Sequence, residues 1–283
     1  MRGAALASGI IICLHGNKAT ASRIFFNYNQ KHITMNSKIY FSLFLVFFFL
    51  FGCGKDENSE VSNETNKKTT AVFNPNLTYG TVTDQEGNIY KTIKIGNQTW
   101  MAENLRTTKY RNGDLIATTT PSTKDISQEN QPKYQWTFDF NVGENNVFTY
   151  GRMYTWNAII DSRNITPTGW HIASEEEWNQ LIEFLGNDSE IGLKLKEVGN
   201  VHWANPNNNA TNESGFTALP GGTRYKDGTF YPLGNLARWW CGQRYLEDRT
   251  SAHIFQLSTE NNWGGIYDSF INEGCYVRCV KDN

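Results

Sequence analysis

The chain has 283 residues, of which 26 are lysine or arginine and 28 are aspartate or glutamate. Residues 1–52 hold five of the basic residues and no acidic one, so the chain from Cys53 onward carries a net charge of −7. A net-acidic body lacks the basic surface that a nucleic-acid partner requires. With 14% aromatic and only 19% charged residues, the composition also excludes a disordered or coiled-coil protein.

Residues 39–51, IYFSLFLVFFFLF, form an almost entirely apolar run. This run is shorter than the roughly 20 residues that cross a bilayer, but it matches the apolar region of a signal peptide, with Lys38 as the preceding charge. It ends at Gly52-Cys53, which resembles the lipobox of bacterial lipoproteins. The resemblance implies that residues 1–52 are a signal peptide and that Cys53 is lipidated. The alternative is an uncleaved anchor with an incidental cysteine.

The flanks of this run predict where the protein resides. Met35 opens a signal peptide of ordinary length, so residues 1–34 are either an over-extended gene start or a long leader. The letters KDE, two residues after Cys53, resemble the surface-export signal of lipoproteins in the Bacteroidota. Residues 53–76 have few apolar side chains and predict a disordered tether. We therefore expect an outer-membrane lipoprotein, exposed at the cell surface and bound to the membrane through its lipid.

β-strand patterns begin near Tyr79. Residues 89–95 alternate β-branched residues with others, and this period of two predicts a strand. Thr81-Val82-Thr83 precede this strand and lead into a Gly/Asn turn at 84–88, and the turn at Gly96-Asn97 leads into a further strand that begins at Gln98. Together these segments predict an N-terminal β-meander. Residues 111–149 read as long loops around short strands. Further short strands are predicted at 216–219, 230–231, 237–241, 252–258 and 275–280.

One helix is clearly marked. Ser174 and Glu177 have the spacing of a capping box, and Gly186 predicts the helix end. The apolar face between them consists of Trp178, Leu181, Ile182 and Leu185. A second, shorter helix is predicted over residues 189–198. Two short helices, short antiparallel strands and long loops predict an α+β domain over residues 77–283.

Seven segments of the chain, taken in their order along the sequence, resemble the Fibrobacter succinogenes major paralogous domain family. The resemblance implies a C-type-lectin-like fold, related to the formylglycine-generating type of domain, and brings no established activity with it. The family occurs as secreted and lipoprotein domains, largely in Bacteroidota and Fibrobacterota. The segments are IYKTIKIGNQTWMAENLRTTKYRNGD, YGRMYTWNAI, PTGWHIASEEEWNQLIEFLG, GLKLKE, TNESGFTALPGGTRYKDGTFYPLG, ARWWCGQ and YVRCVKD.

Two cysteines depart from the family pattern. Cys241 stands where the family usually has serine, and Cys275 stands where it usually has an aromatic residue, whereas Cys279 matches. Unusual cysteines in a secreted domain suggest a disulfide. Residues Cys275 and Cys279 share one face of the last strand, so Cys241 could reach either. We favour a Cys241–Cys275 bond; the alternative is three free, buried thiols.

No metal or cofactor is expected. The three histidines of the body are scattered and lack zinc-site spacing. The sugar-binding calcium motifs of C-type lectins are not matched, because the nearest strings, QPK at 131–133 and NWG at 262–264, lack the carboxylate. The oxygen-rich loop 205–213 is the alternative, as a loop whose oxygen atoms could bind calcium.

A catalytic role is not expected either. No phosphate-binding glycine loop and no nucleophile elbow occurs in the sequence. The formylglycine-generating enzymes hold copper through two nearby cysteines in a loop. Cys275 and Cys279 have a CxxxC spacing within a predicted strand, which leaves a divergent oxidase as a less favoured alternative.

Binding is the favoured function, since long loops on a rigid sheet are where recognition normally resides. Aromatic residues with polar neighbours suit an extracellular glycan or a protein. The ligand-binding candidates are Arg238, Trp239, Trp240, Tyr245, Asn262 and Trp263. Alternation along the strand turns only one of Trp239 and Trp240 outward. Four other tryptophans are expected in the core: Trp100, Trp156, Trp170 and Trp178. A structural or adhesive envelope component without a small ligand is the alternative.

Overall fold

The computed structural model describes residues 68–138, 145–186, 189–207, 209–242 and 250–283. The predicted signal peptide, the predicted lipidation site Cys53 and the candidate Tyr245 lie outside these ranges. Among the described residues, no helix is both long and apolar enough to cross a membrane. The elements follow in chain order: β1 Gly80–Thr83, β2 Ile89–Ile95, β3 Gln98–Met101, β4 Gln135–Trp136, α1 Asn145–Tyr150, β5 Met153–Tyr154, α2 Trp156–Ile159, β6 Trp170–Ile172, α3 Glu175–Phe184, α4 Ile191–Leu195, β7 Thr223–Arg224, β8 Phe230–Tyr231, β9 Leu236–Trp240, β10 Ser251–Ser258, β11 Gly264–Phe270 and β12 Cys279–Lys281.

The larger sheet has five strands in the order β1-β2-β3-β12-β6, and all neighbours are antiparallel. Its first three strands are the predicted meander. The last strand lies between β3 and β6, because Val280 pairs with both Trp100 and His171. This sheet therefore depends on pairing between distant parts of the chain. Together with three smaller antiparallel sheets and the short helices, it gives the predicted α+β class.

Strand β2 follows the predicted period only in part. Ile93 and Ile95 are buried, but Tyr90 and Thr92 on the opposite face are buried as well, whereas Ile89 is exposed. The reason is that the sheet is covered on both faces: Ile93 belongs to one apolar core and Tyr90 to a second. The four tryptophans predicted for the core are all buried.

The three-stranded sheet has the order β11-β10-β9 and is also sandwiched between the two cores. Trp239 and Trp240 point to opposite faces of β9, and both are fully buried, the first in one core and the second in the other. The prediction that one of them faces outward is wrong, because β9 is packed on both sides. Strand β11 forms an edge of this sheet.

Helix α3 confirms the capping box. The Ser174 hydroxyl accepts from the Glu177 N–H, and the Glu177 carboxylate accepts from the Ser174 N–H. Gly186 ends the helix with a positive φ of 108°. The second helix, α4, is shorter than predicted, because the chain becomes extended at Lys196. Helices α1 and α2 were not predicted, since neither is long enough to display a 3.6-residue period.

The predicted tether over residues 53–76 ends earlier than expected, because residues 69–76, which we call the strap, contact the folded domain. Ala71 and Phe73 pack against the first core, and the Phe73 ring contacts the Tyr79 ring edge-on at 5.3 Å. The Val72 N–H donates to the carboxylate of Glu197 at 2.5 Å. The packed domain therefore begins near Thr69 rather than at Leu77, because a few apolar and hydrogen-bonded residues suffice to hold an extended segment that composition alone marks as polar.

The three described cysteines are free, so the predicted Cys241–Cys275 disulfide is wrong and the alternative of buried thiols holds. Cys275 and Cys279 face the second core together, as predicted, whereas Cys241 faces the first. Burial raises the pKa of the Cys275 thiol to about 12 and raises that of the other two thiols as well. All three side chains are fully buried.

We therefore expect the folded domain 69–283 to resist alkylation by iodoacetamide, because the reactive thiolate is both disfavoured and inaccessible. After unfolding in guanidinium without reductant, mass spectrometry should find three adducts. A single adduct under those conditions would show that two of the three cysteines are joined in a disulfide.

Candidate functional site

Two large aromatic side chains are exposed beside the edge strand β11. Trp263 is 46% exposed and Tyr267 is 41% exposed, and their rings meet edge-to-face with centroids 5.8 Å apart. Gly265 lies beneath the Trp263 ring, where a Cβ atom would come within 2.3 Å of the indole. The missing side chain is what leaves room for the indole against the strand. We call Trp263, Gly265 and Tyr267 the aromatic platform.

A polar row continues from the aromatic platform across the sheet. Gln256 on β10 pairs with Gly265 on one side and with Arg238 on the other. Directly paired residues point to the same face, and neighbouring strands are about 4.8 Å apart, so the row spans roughly 10 Å. The Arg238 Nε donates to the Gln256 Oε1 at 2.7 Å. Both side chains are half-buried, which leaves planar polar groups beside an exposed indole.

A buried carboxylate, that of Glu273, contacts Arg238 at the end of the row farthest from the aromatic platform. Glu273 Oε2 lies 3.6 Å from the Arg238 guanidinium and accepts from the Ser269 hydroxyl at 2.5 Å. Burial raises the pKa of Glu273, although the hydrogen bond from Ser269 and the charge of Arg238 oppose the rise. Arg238 is therefore fixed from two sides, and this arrangement lowers the entropy that its side chain would lose on binding a ligand.

Helix α4 fixes the loop that carries Trp263. The Gly192 N–H donates to the Asn262 carbonyl at 2.6 Å. The Lys196 Nζ donates to the carbonyls of Ser258 and Asn261 at 2.5 and 3.1 Å. Lys196 is 1% exposed, and burial lowers its pKa to about 8. The loop is thus anchored to the first core through its backbone, while Asn262 and Trp263 are exposed to solvent.

Replacing Gly192 with alanine tests this anchor. Within a helix such a change normally stabilises by about 1 kcal/mol, but here the new Cβ would lie 2.5 Å from the Asn262 carbonyl oxygen. We expect the free energy of unfolding to fall by about 1–3 kcal/mol, as in other overpacked sites. Urea denaturation measures this loss, and the indole N–H resonance of Trp263 should shift. A variant as stable as the parent would contradict the anchor.

The structure sorts the six binding candidates. Arg238 and Trp263 belong to the platform and its row, and Asn262 is exposed in the same loop. Trp239 and Trp240 are excluded as ligand contacts: their indole N–H groups donate to the Asn104 side chain and to the Tyr154 carbonyl inside the protein. Tyr245 lies outside the described residues.

Sequence reasoning missed four members of the site: Gly265, Tyr267, Gln256 and Glu273. A signal for Tyr267 was available, because Tyr267 stands two residues after Gly265 in GGIYDSF, and this spacing places both residues on one face of a strand. Gln256 had no such signal, since it is noticed only once strand register places it beside Gly265.

The described histidines are all engaged by carboxylates. His171 lies between Glu177 and Asp282, at 2.7 and 2.6 Å. Burial lowers its pKa, but these two hydrogen bonds outweigh burial, and the net effect is a raised pKa. His253 contacts Glu175 at 2.5 Å. In the described part of the chain, no group of three or more histidine, cysteine or acidic residues is arranged to hold a metal ion.

Two open grooves lie elsewhere. One, of about 400 Å³, is lined mainly by apolar residues such as Leu77, Ile93 and Phe184. The other, of about 240 Å³, is lined by Arg106 and Arg152 among others. These arginines are occupied in holding loops: Arg152 donates to the Arg106 carbonyl and Arg106 to the Ile89 carbonyl. The first groove also contains an exposed aromatic ring, that of Phe184, but among the described residues this ring is not paired with an arginine and an amide as the platform is with Arg238 and Gln256.

The family model of the Fibrobacter succinogenes major domain matches residues 93–281, which include α3, the three-stranded sheet and the aromatic platform. No curated protein matches the chain, and no solved structure matches it.

Proposed function

Since the chain belongs to the Fibrobacter succinogenes major domain family, we propose that it is a surface-exposed lipoprotein whose domain binds an extracellular glycan or protein. One observation carries the binding role: the exposed Trp263–Tyr267 pair seated on Gly265. Exposed aromatic residues beside fixed polar groups are typical of recognition surfaces. The domain is lectin-like in this proposal, with its long loops and small antiparallel sheets around two cores.

A glycan suits the platform better than a flat protein surface. One face of a pyranose ring carries C–H groups that stack on an indole, and its hydroxyls seek both donors and acceptors. Gln256 offers an amide, and Arg238 offers a guanidinium that Glu273 holds in place. The row of roughly 10 Å is about as long as two sugar units.

The location in this proposal rests on the sequence before the domain. The apolar run 39–51 followed by Cys53 supports lipidation, and residues 54–68 would serve as the tether. A lipid with more than one acyl chain gives stable attachment. Replacing Cys53 with serine should release the protein from membranes, and persistent membrane association would refute the lipid anchor.

A glycan array tests the binding role. The soluble domain 69–283 is applied to the array in parallel with its Trp263→Ala variant. The proposal expects glycans that retain the parent and lose the variant. Equal signals from both would place binding elsewhere on the domain. Silence of the parent across all glycans would leave a protein ligand or the structural envelope role, and pull-down from intact cells then separates these two.

The divergent oxidase is the less favoured function. Its copper would be held by thiolates, yet the thiols of Cys275 and Cys279 are fully buried and their pKa values are raised by burial. Titration with Cu(I) tests this alternative, and tight binding that disappears in the Cys279→Ser variant would support it.

A further inference from the structure

A hydroxyl, an imidazole and a carboxylate form a hydrogen-bonded chain at the start of the strap. The Thr70 Oγ1 lies 2.9 Å from the His202 Nε2, and the His202 Nδ1 lies 2.7 Å from the Glu197 Oε2. The Glu197 side chain is fully buried, and that of His202 is 7% exposed. Nucleophile, base and orienting acid within hydrogen-bond reach are the arrangement that activates a hydroxyl group.

The partners of His202 define which ring nitrogen faces the Thr70 hydroxyl and which faces the Glu197 carboxylate. Glu197 accepts from the Nδ1–H of His202, which leaves the Nε2 lone pair facing the Thr70 hydroxyl. The Tyr150 ring packs edge-on against the imidazole at 5.7 Å and limits its rotation. Glu197 also accepts from the Val72 N–H at 2.5 Å, so the same carboxylate orients the base and fixes the strap beside it.

A second hydroxyl lies on the amide of Thr70. The Thr149 Oγ1 is 2.9 Å from the Thr70 Oγ1 and accepts from the Thr70 N–H at 3.2 Å. One side chain therefore touches both the hydroxyl and the nitrogen of Thr70. This nitrogen is the leaving atom if the peptide bond before Thr70 is broken, and Thr149 lies where a proton would pass between the two atoms.

We propose that Thr70 cleaves the peptide bond between Thr69 and Thr70 by a single-turnover shift of the acyl group from nitrogen to oxygen. His202 Nε2 takes the hydroxyl proton, and Oγ1 attacks the Thr69 carbonyl carbon to close a five-membered ring. The carbon–nitrogen bond then breaks, and the proton passes to the Thr70 nitrogen, which becomes a free amine. The Thr69 carbonyl is now an ester on Oγ1.

Water completes the reaction and is its only co-reactant. It hydrolyses the ester to a carboxylate on Thr69 and restores the Thr70 hydroxyl. The Thr70 side chain is exposed, so water can reach the ester. Residues 71–76 keep their contacts with the core, and the domain stays folded. If Cys53 carries the lipid, the cut frees the domain from the membrane.

The test uses the purified full-length chain, incubated at neutral pH and followed by intact-mass spectrometry. We expect a fragment that begins at Thr70, and we expect hydroxylamine to speed its release about tenfold by attacking the ester and leaving a hydroxamate on Thr69. Thr70→Ala should abolish the fragment, whereas Thr70→Ser should keep it. His202→Ala should slow the cut by about 100-fold or more, the usual contribution of a general base.

Two controls separate catalysis from structure. Asn76→Ala removes an exposed polar side chain elsewhere in the strap and should leave the rate unchanged. Glu197→Gln should alter the pH profile of the cut, because Glu197 acts through His202. Failure of the full-length chain to split in water or in hydroxylamine would overturn the proposal. A fragment that persists in Thr70→Ala would also overturn it and would indicate a contaminating protease.

Discussion

Replacing Trp263 with alanine is expected to weaken glycan binding by about 2 kcal/mol, roughly 30-fold in affinity, because a central exposed aromatic residue usually carries a large share of the binding energy. The loss should appear without a change in stability, since Trp263 is 46% exposed and contributes little to either core. Isothermal titration with the best glycan from the array measures the affinity, and urea denaturation measures the stability.

Two further variants give this prediction its controls. Gly265→Ala keeps every aromatic side chain but pushes the indole off the strand, so it should weaken binding almost as much as Trp263→Ala. Phe270→Ala removes an aromatic residue of similar exposure from the other face of β11 and should leave binding unchanged. Equal losses for Phe270→Ala and Trp263→Ala would contradict the platform.

Replacing Arg278 with methionine is expected to lower the free energy of unfolding by about 3 kcal/mol or more. Arg278 is 1% exposed, and burial lowers its pKa to about 9. Its guanidinium donates to the carbonyls of Met101, Phe216 and Thr217 and to the Asn104 side chain, over 2.6 to 3.1 Å. Each buried acceptor that loses its donor costs about 1–3 kcal/mol.

The contacts of Arg278 explain why so much depends on one side chain. Thr217 has a positive φ of 54°, which is unfavourable for a β-branched residue, and the guanidinium holds its carbonyl in place. Asn104 also accepts from the Trp239 indole, so the network links the larger sheet to the three-stranded sheet.

Urea denaturation of the domain 69–283 measures the effect. Lys94→Met, at an exposed position of β2, serves as the control for loss of a cationic side chain and should cost less than about 1 kcal/mol. Arg278→Lys should fall between the two, because an ammonium keeps the charge but cannot reach all four acceptors. A loss for Arg278→Met no greater than that of the control would contradict this role.

The sequence by itself determined the local elements and the family. The capping box at Ser174 and the meander from β1 to β3 follow from residues adjacent in the chain, so they could be predicted from pattern alone. Family membership rests on seven ordered segments and was confirmed by the match over residues 93–281. The core positions of Trp100 and Trp178 also followed from their elements.

Tertiary structure decided which side chains are available for chemistry. The sequence does not distinguish Trp239, Trp240 and Trp263 as binding candidates. Of these three only Trp263 is exposed, because exposure depends on what covers each face of a sheet. In the same way, Cys241 and Cys275 face different cores and stay reduced. The Thr70–His202 contact joins residues 132 positions apart. Such contacts are set by how the whole chain packs, and short-range periodicity carries no information about them.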